Sequence, residues 1–208
     1  MLTPRYKAPS FNRKPFGSHQ FDVYSPKMSR QLLLFGMPAV NLWTLLESNP
    51  SILAFCERPL QLPDVKPMRA IDFWVKTADG EEFLLIAKSP AQDNKDDDAA
   101  LAGPVIDGVT LRYILAEDLA QNTTELKNWG WIIRDLSAFQ RFVPEAVCKE
   151  ALSAVGTGKS IAQLQADLPD QESSIVKLAI YVLLHRGEVI CKELKTQVLG
   201  LGHLIELP

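Results

Sequence analysis

Arg69-Ala70-Ile71-Asp72-Phe73-Trp74-Val75-Lys76 and Glu81-Glu82-Phe83-Leu84-Leu85-Ile86-Ala87-Lys88 are two apolar runs joined by Thr77-Ala78-Asp79-Gly80. An Asp-Gly pair between such runs is the strongest short-range sign of a hairpin, because both residues tolerate the positive φ that a tight turn needs. Ile71, Phe73 and Val75 alternate loosely, which predicts a strand over Ala70–Lys76. Phe83–Ala87 is continuously apolar, as in a strand covered on both faces. Asp72 then stands on one strand and Lys88 at the end of the next.

Working outward, Val109–Leu115 reads as a further strand, and Ala116–Ala120 and Thr124–Arg141 as helices. Upstream, Gln31–Phe35 is a short strand, and Pro38 suits the first turn of a helix that carries Val40, Trp43, Leu45 and Leu46 and ends near Glu47 at Asn49-Pro50. Glu47 itself reads as a solvated helix end. Ile52–Phe55 and Leu60–Leu62 are short strands, and Gln92–Asp98 is too polar to pack. Residues 1–26, with Pro4, Pro9, Pro15, Gly17 and Pro26, read as an extended arm. Pro144 marks a boundary, which divides the chain into an arm (1–26), an α/β domain (27–143) and a C-terminal domain (144–208).

The C-terminal stretch offers a helix to about Val155 and a second at Ser160–Leu168 with Ser160 as N-cap. A third runs over Ser173–Arg186 with Gly187 as its cap, before strands at Glu188–Leu194 and His203–Leu207. Three helices and a terminal hairpin in this order predict a winged helix. Gly156-Thr157-Gly158-Lys159-Ser160 imitates a phosphate-binding loop, but the required first glycine is Ser153 and a helix, not a strand, precedes it. No nucleotide is expected.

Charge narrows the partners. Residues 1–30 carry Arg5, Lys7, Arg13, Lys14, Lys27 and Arg30 against Asp22 alone, a net of +5, so the remainder of this −3 chain carries −8. A basic arm on an acidic body suits a polyanion or an acidic protein surface, and those six cations are the DNA-contact candidates. Residues 144–208 hold six basic and eight acidic side chains. In the third helix only Ser173, Ser174, Lys177, His185 and Arg186 could touch a phosphate or a base, and with the net charge of −2 this favours a protein-docking domain over a DNA reader, Lys177 being its DNA-contact candidate. His185 and His203 read as ordinary surface or helix-end residues. Cys56, Cys148 and Cys191 are scattered, as buried thiols in a reducing compartment would be, and the cytoplasm is the expected location. No apolar run reaches the ~18 residues of a membrane span.

Several phrases in order give the chain a family likeness. They are Ser29-Arg30 before Leu32–Phe35, Leu45-Leu46-Glu47-Ser48-Asn49-Pro50-Ser51-Ile52, Glu57-Arg58-Pro59, Arg69-Ala70-Ile71-Asp72-Phe73, Ile114–Leu119, Leu126-Lys127-Asn128 and His185-Arg186-Gly187-Glu188-Val189. Over roughly residues 25–205 the chain resembles the TnsA family, the endonuclease subunits of heteromeric cut-and-paste transposases. The resemblance implies a restriction-endonuclease-like mixed sheet of the PD-(D/E)xK type followed by a winged helix. In that type an aspartate and a second acid hold a divalent metal while a lysine activates water. It also implies a DDE-type transposase subunit and element-end DNA as partners.

Of four family positions only Asp72 and Lys88 persist. The helix-borne glutamate falls on Ala39 and the acid or glutamine on Ile86. Magnesium is usually held through one or two carboxylates plus substrate phosphate, so Asp72 alone is a poor seat and no metal is expected. Glu82 shares a strand face with Ile86 but lies ~13 Å away at strand rise, and Glu47 is the other candidate for a migrated acid. The leading expectation is a non-cutting scaffold or adaptor at transposon ends. The alternatives are an active endonuclease using Mg²⁺ or Mn²⁺ to cleave 5′ strands, and a nuclease-fold regulatory module outside transposition.

Overall fold

A computed structural model describes residues 4–11, 13–62, 69–87 and 102–208. Lys88 and the polar stretch Gln92–Asp98 lie outside the described residues. The chain divides into two compact units, Met1–Leu46 with Ser51–Gln121, and Glu47–Pro50 with Asn122–Pro208. This division falls at Gln121–Asn122, ahead of the expected Pro144.

The first unit is mixed α/β. Strands β1 (Gln20–Ser25) and β2 (Arg30–Phe35) form a hairpin in register from Gln20↔Phe35 to Ser25↔Arg30. The expected arm is therefore a strand from Gln20 onward. Phe21 and Val23 are half-buried between exposed neighbours, a period of two. Helix α1 (Met37–Ser48) follows Gly36, and Ala39, Leu42, Trp43 and Leu46 form its buried stripe at helical spacing.

The sheet holds β3 (Ala54–Glu57), β4 (Phe73–Lys76), β5 (Glu81–Ala87), β6 (Ala102–Ile106) and β7 (Val109–Leu115), ordered β3-β4-β5-β7-β6. Neighbours are antiparallel except β5 and β7, which run parallel. In register, Cys56, Trp74, Phe83 and Leu111 make one row across four strands, and all four are fully buried. Tyr6 covers this row, its ring 5.5 Å from Trp74 and 5.8 Å from Phe83. Glu81 at the rim accepts from Trp74 Nε1 (3.1 Å) and pairs with Lys76 and Arg5. The arm over Pro4–Phe11 is thus a strap laid on the sheet. Strand β6 was not expected, because Pro104 and Gly103 disguise it; proline survives there because β6 is an edge strand. The short helix α2 (Ala116–Gln121) closes the unit.

The second unit is built round one helix. Helices α3 (Thr123–Phe139), α4 (Glu145–Val155), α5 (Ile161–Asp167) and α6 (Ser173–Arg186) accompany two-residue strands β8 (Lys159–Ser160) and β9 (Leu204–Ile205), which pair antiparallel. Ser160 caps α5 with a reciprocal bond to Gln163, as expected. Val176 and every residue from Leu178 to His185 are buried, so α6 is internal on all sides. Where a hairpin was expected, the chain gives a single bridge, Ile190↔Glu206, a 3₁₀ turn at Lys192–Lys195, and β9 paired with β8. Asn128 anchors the intervening segment: its buried amide donates to the carbonyls of Leu194 (2.8 Å), at the end of the expected first strand, and of Gln197 (2.7 Å) and accepts from Leu199 N–H (2.9 Å). These contacts also hold α3 to the second unit, which is why the division precedes Asn122. Gly156–Gly158 links α4 to β8, so a helix does precede the glycine-rich turn.

Gly187 caps α6 at φ +74°, and a Cβ there would meet Pro50 Cβ at 2.6 Å and Cγ at 2.8 Å. Gly187→Ala is therefore expected to lower unfolding free energy by roughly 2 kcal/mol in chemical denaturation, combining left-handed strain with a rigid ring clash. An unchanged midpoint contradicts this.

Candidate functional site

Asp72 sits at the bend just ahead of β4, not within the strand. The residues before it have changed partners. Leu62 N–H donates to Arg69 C=O (2.8 Å), Ile71 N–H to Leu60 C=O (2.9 Å), and Gln61 bridges Ala70, so Arg69–Ile71 runs beside Leu60–Leu62. Strand β4 meets β5 only from Phe73↔Leu84 onward, with Asp72 N–H reaching Leu84 C=O at 3.1 Å. Ile86, two residues further along β5, has no β4 residue opposite it.

Two side chains complete that edge. Asp72 Oδ2 accepts the Ile86 N–H at 2.7 Å, and Arg69 Nη2 donates to the Ile86 carbonyl. A residue's amide and carbonyl point to the same side of a strand, so the pair stands in for a strand neighbour. A buried amide left without a partner costs about 1–3 kcal/mol. Asp72 is half-buried as a residue, but its carboxyl is enclosed, and burial pushes it up to about 6 against the lowering effects of the Ile86 amide, Arg69 and Arg58.

Charged neighbours surround the bend. Arg30 on β2 holds Glu57 through both guanidinium nitrogens, Nη1 to Oε1 at 2.8 Å and Nη2 to Oε2, and Glu57 is buried. Arg58, at φ +48°, donates its N–H to Asp72 C=O (2.9 Å). Its guanidinium lies 4.7 Å from the Phe35 ring and 5.1 Å from Phe11, donates Nη2 to Arg13 C=O, and leaves Nη1 buried with no partner among the described residues. Burial lowers the Arg58 pKa.

The other expected residues are dispersed. Ala39 belongs to the buried stripe of α1, and Ile86 is buried in β5. Glu82 is bound by Arg112 at 2.9 and 3.0 Å. Glu47 is no solvated helix end: in the second unit it is fully buried and 3.0 Å from His185 Nε2, and His185 and His203 are buried rather than surface residues. Among the DNA candidates, Arg30 is spent on Glu57, Arg5 reaches Asp107 C=O and Glu81, and Lys27 donates to Leu46 C=O. Lys177 lies 4.0 Å from Asp135 and over Tyr181. Lys7, Arg13 and Lys14 are exposed, with no ion pair among the described residues. Cys56, Cys148 and Cys191 are buried free thiols. Among the described residues no three His, Cys, Asp or Glu side chains gather as a metal-sized group, and no helix is long and apolar enough to cross a membrane. Reading the sequence missed Arg69, whose only signal is an arginine three residues before an aspartate in an otherwise apolar segment.

No family model matches the chain, and no curated protein matches it.

A carboxyl raised by folding contributes stability that is complete below its unfolded value of 3.8 and lost as pH rises through about 6. Asp72→Asn keeps an acceptor for the Ile86 amide and removes this titration. The stability of the variant relative to the natural protein is expected to rise by on the order of 2–3 kcal/mol between pH 4 and pH 7 in urea unfolding. A difference that falls over that interval contradicts the assignment.

Proposed function

We propose that the chain is a TnsA-like, nuclease-fold subunit of a heteromeric transposase that serves as a non-cutting scaffold at element-end DNA, beside a DDE-type transposase subunit. The observation that carries the non-cutting part is the use of Asp72: the one family acid present is committed to the Ile86 amide at 2.7 Å. Support for the nuclease fold comes from α1 followed by the antiparallel series β3-β4-β5 and a parallel β7. Support for a winged helix comes from the order α4, β8, α5, α6, the Ile190 bridge and β9, with β9 between the other two strands. A winged helix that reads DNA presents its third helix to the major groove. Here α6 is buried all round and Lys177 is paired with Asp135, so this unit suits protein docking.

Purified protein with Mg²⁺ or Mn²⁺ is expected to leave supercoiled plasmid intact. Metal-dependent nicking that disappears in Asp72→Ala restores the endonuclease reading.

DNA affinity, on this reading, comes from the exposed Lys7, Arg13 and Lys14 near the start of the chain. Each neutralised phosphate contributes about −0.9 to the log–log salt slope, so three contacts give a slope no steeper than roughly −3. Lys7→Gln/Arg13→Gln/Lys14→Gln is expected to flatten that slope, while Lys177→Gln leaves it alone. The reverse pattern assigns DNA contact to the second unit instead.

A further inference from the structure

A divalent ion of the kind the nuclease fold implies does not fit the donors around Asp72. Mg²⁺ and Mn²⁺ are hard cations that seek several oxygen ligands. Asp72 already accepts the Ile86 amide at 2.7 Å, the Ile86 carbonyl is taken by Arg69, Ile86 supplies no oxygen from its side chain, and among the described residues no three acids or other ligating side chains gather there. Arg58 and Arg69 both place positive charge close enough to lower the Asp72 pKa.

We propose that Arg69 is the resident cation of this site, its guanidinium taking the Ile86 carbonyl and the position near Asp72 that a divalent ion would need. The fold delivers it there. The Gln61↔Ala70 bridge draws Arg69–Ile71 alongside Leu60–Leu62 while Arg69 still reaches β5. A guanidinium keeps its charge at every physiological pH, so the position is never vacated by titration. An entering ion would have to break the Arg69 bond and sit against two like charges, a repulsion that is strong in a partly dehydrated setting. The inference concerns metal occupancy alone and holds whether or not the chain serves transposition.

The test is titration of full-length protein with Mn²⁺ near neutral pH, with free ion read by electron paramagnetic resonance. The natural protein is expected to bind no ion at this site. Arg69→Gln keeps an N–H donor for the Ile86 carbonyl but drops the charge, and Arg69→Gln/Ile86→Glu also restores a second acid. The double variant is expected to bind one ion at least about tenfold more tightly than the natural protein, and adding Asp72→Asn is expected to abolish that binding. Circular dichroism establishes that each variant folds. Should the double variant not fold, Arg69→Gln alone must bind Mn²⁺ more tightly than the natural protein. The proposal is overturned if the natural protein binds one Mn²⁺ that Asp72→Asn removes. It is equally overturned if the folded double variant, or the folded single variant in its stead, binds no more tightly than the natural protein.

Discussion

Strand β5 continues past the point where β4 leaves it, and at Ile86 an amide and a carbonyl face a side with no strand. Buried backbone groups must find partners, and this requirement organises the region. Asp72 and Arg69 meet it with their side chains, one accepting and one donating. Because Arg69–Ile71 pairs with Leu60–Leu62, the residues that would have extended β4 along β5 are already engaged. The bend, the raised Asp72 pKa and the position of Arg69 all follow from that exchange of partners. An aspartate that closes a sheet edge has little left to offer a metal.

The same internal use of charge recurs through the first unit. Arg30 holds the buried Glu57, Arg58 lies between Phe11 and Phe35 with its backbone bound to Asp72, and Arg5 ties the strap to Glu81 and Asp107. Glu57 is buried, so removing Arg30 would leave its charge uncompensated. Of the six cations in residues 1–30, only Lys7, Arg13 and Lys14 are exposed with no ion pair among the described residues. In the second unit Lys177 is half-buried, 4.0 Å from Asp135 and over the Tyr181 ring.

Much of this was legible in the sequence where periodicity is strong. The Asp79-Gly80 hairpin, α1, β7, α4 and the Ser160 cap all stand within a few residues of their expected places. What escaped was set by contacts distant in sequence. Gly103 and Pro104 hide β6, whose pairing with β7 is visible only once the sheet is assembled. Asn128 looked like an ordinary helix residue, yet it binds Leu194, Gln197 and Leu199 about seventy positions away, where a 3₁₀ turn stands at the end of an expected strand. Glu47 and His185 each looked solvated because neither shows its partner locally. At the site, Asp72 was readable from the hairpin that follows it, whereas Arg69 was not, since no local spacing marks a side chain that bonds a backbone carbonyl on another strand.

The central claim is that Asp72 serves the sheet edge, and the amide of Ile86 reports on it directly. Residue-resolved hydrogen exchange, comparing the natural protein with Asp72→Ala, measures that amide. The account predicts that Ile86 N–H is protected in the natural protein and exchanges far faster in the variant, while the Leu111 amide in β7 stays protected. An Ile86 amide that exchanges freely in the natural protein, or keeps its protection without the Asp72 carboxylate, would contradict it.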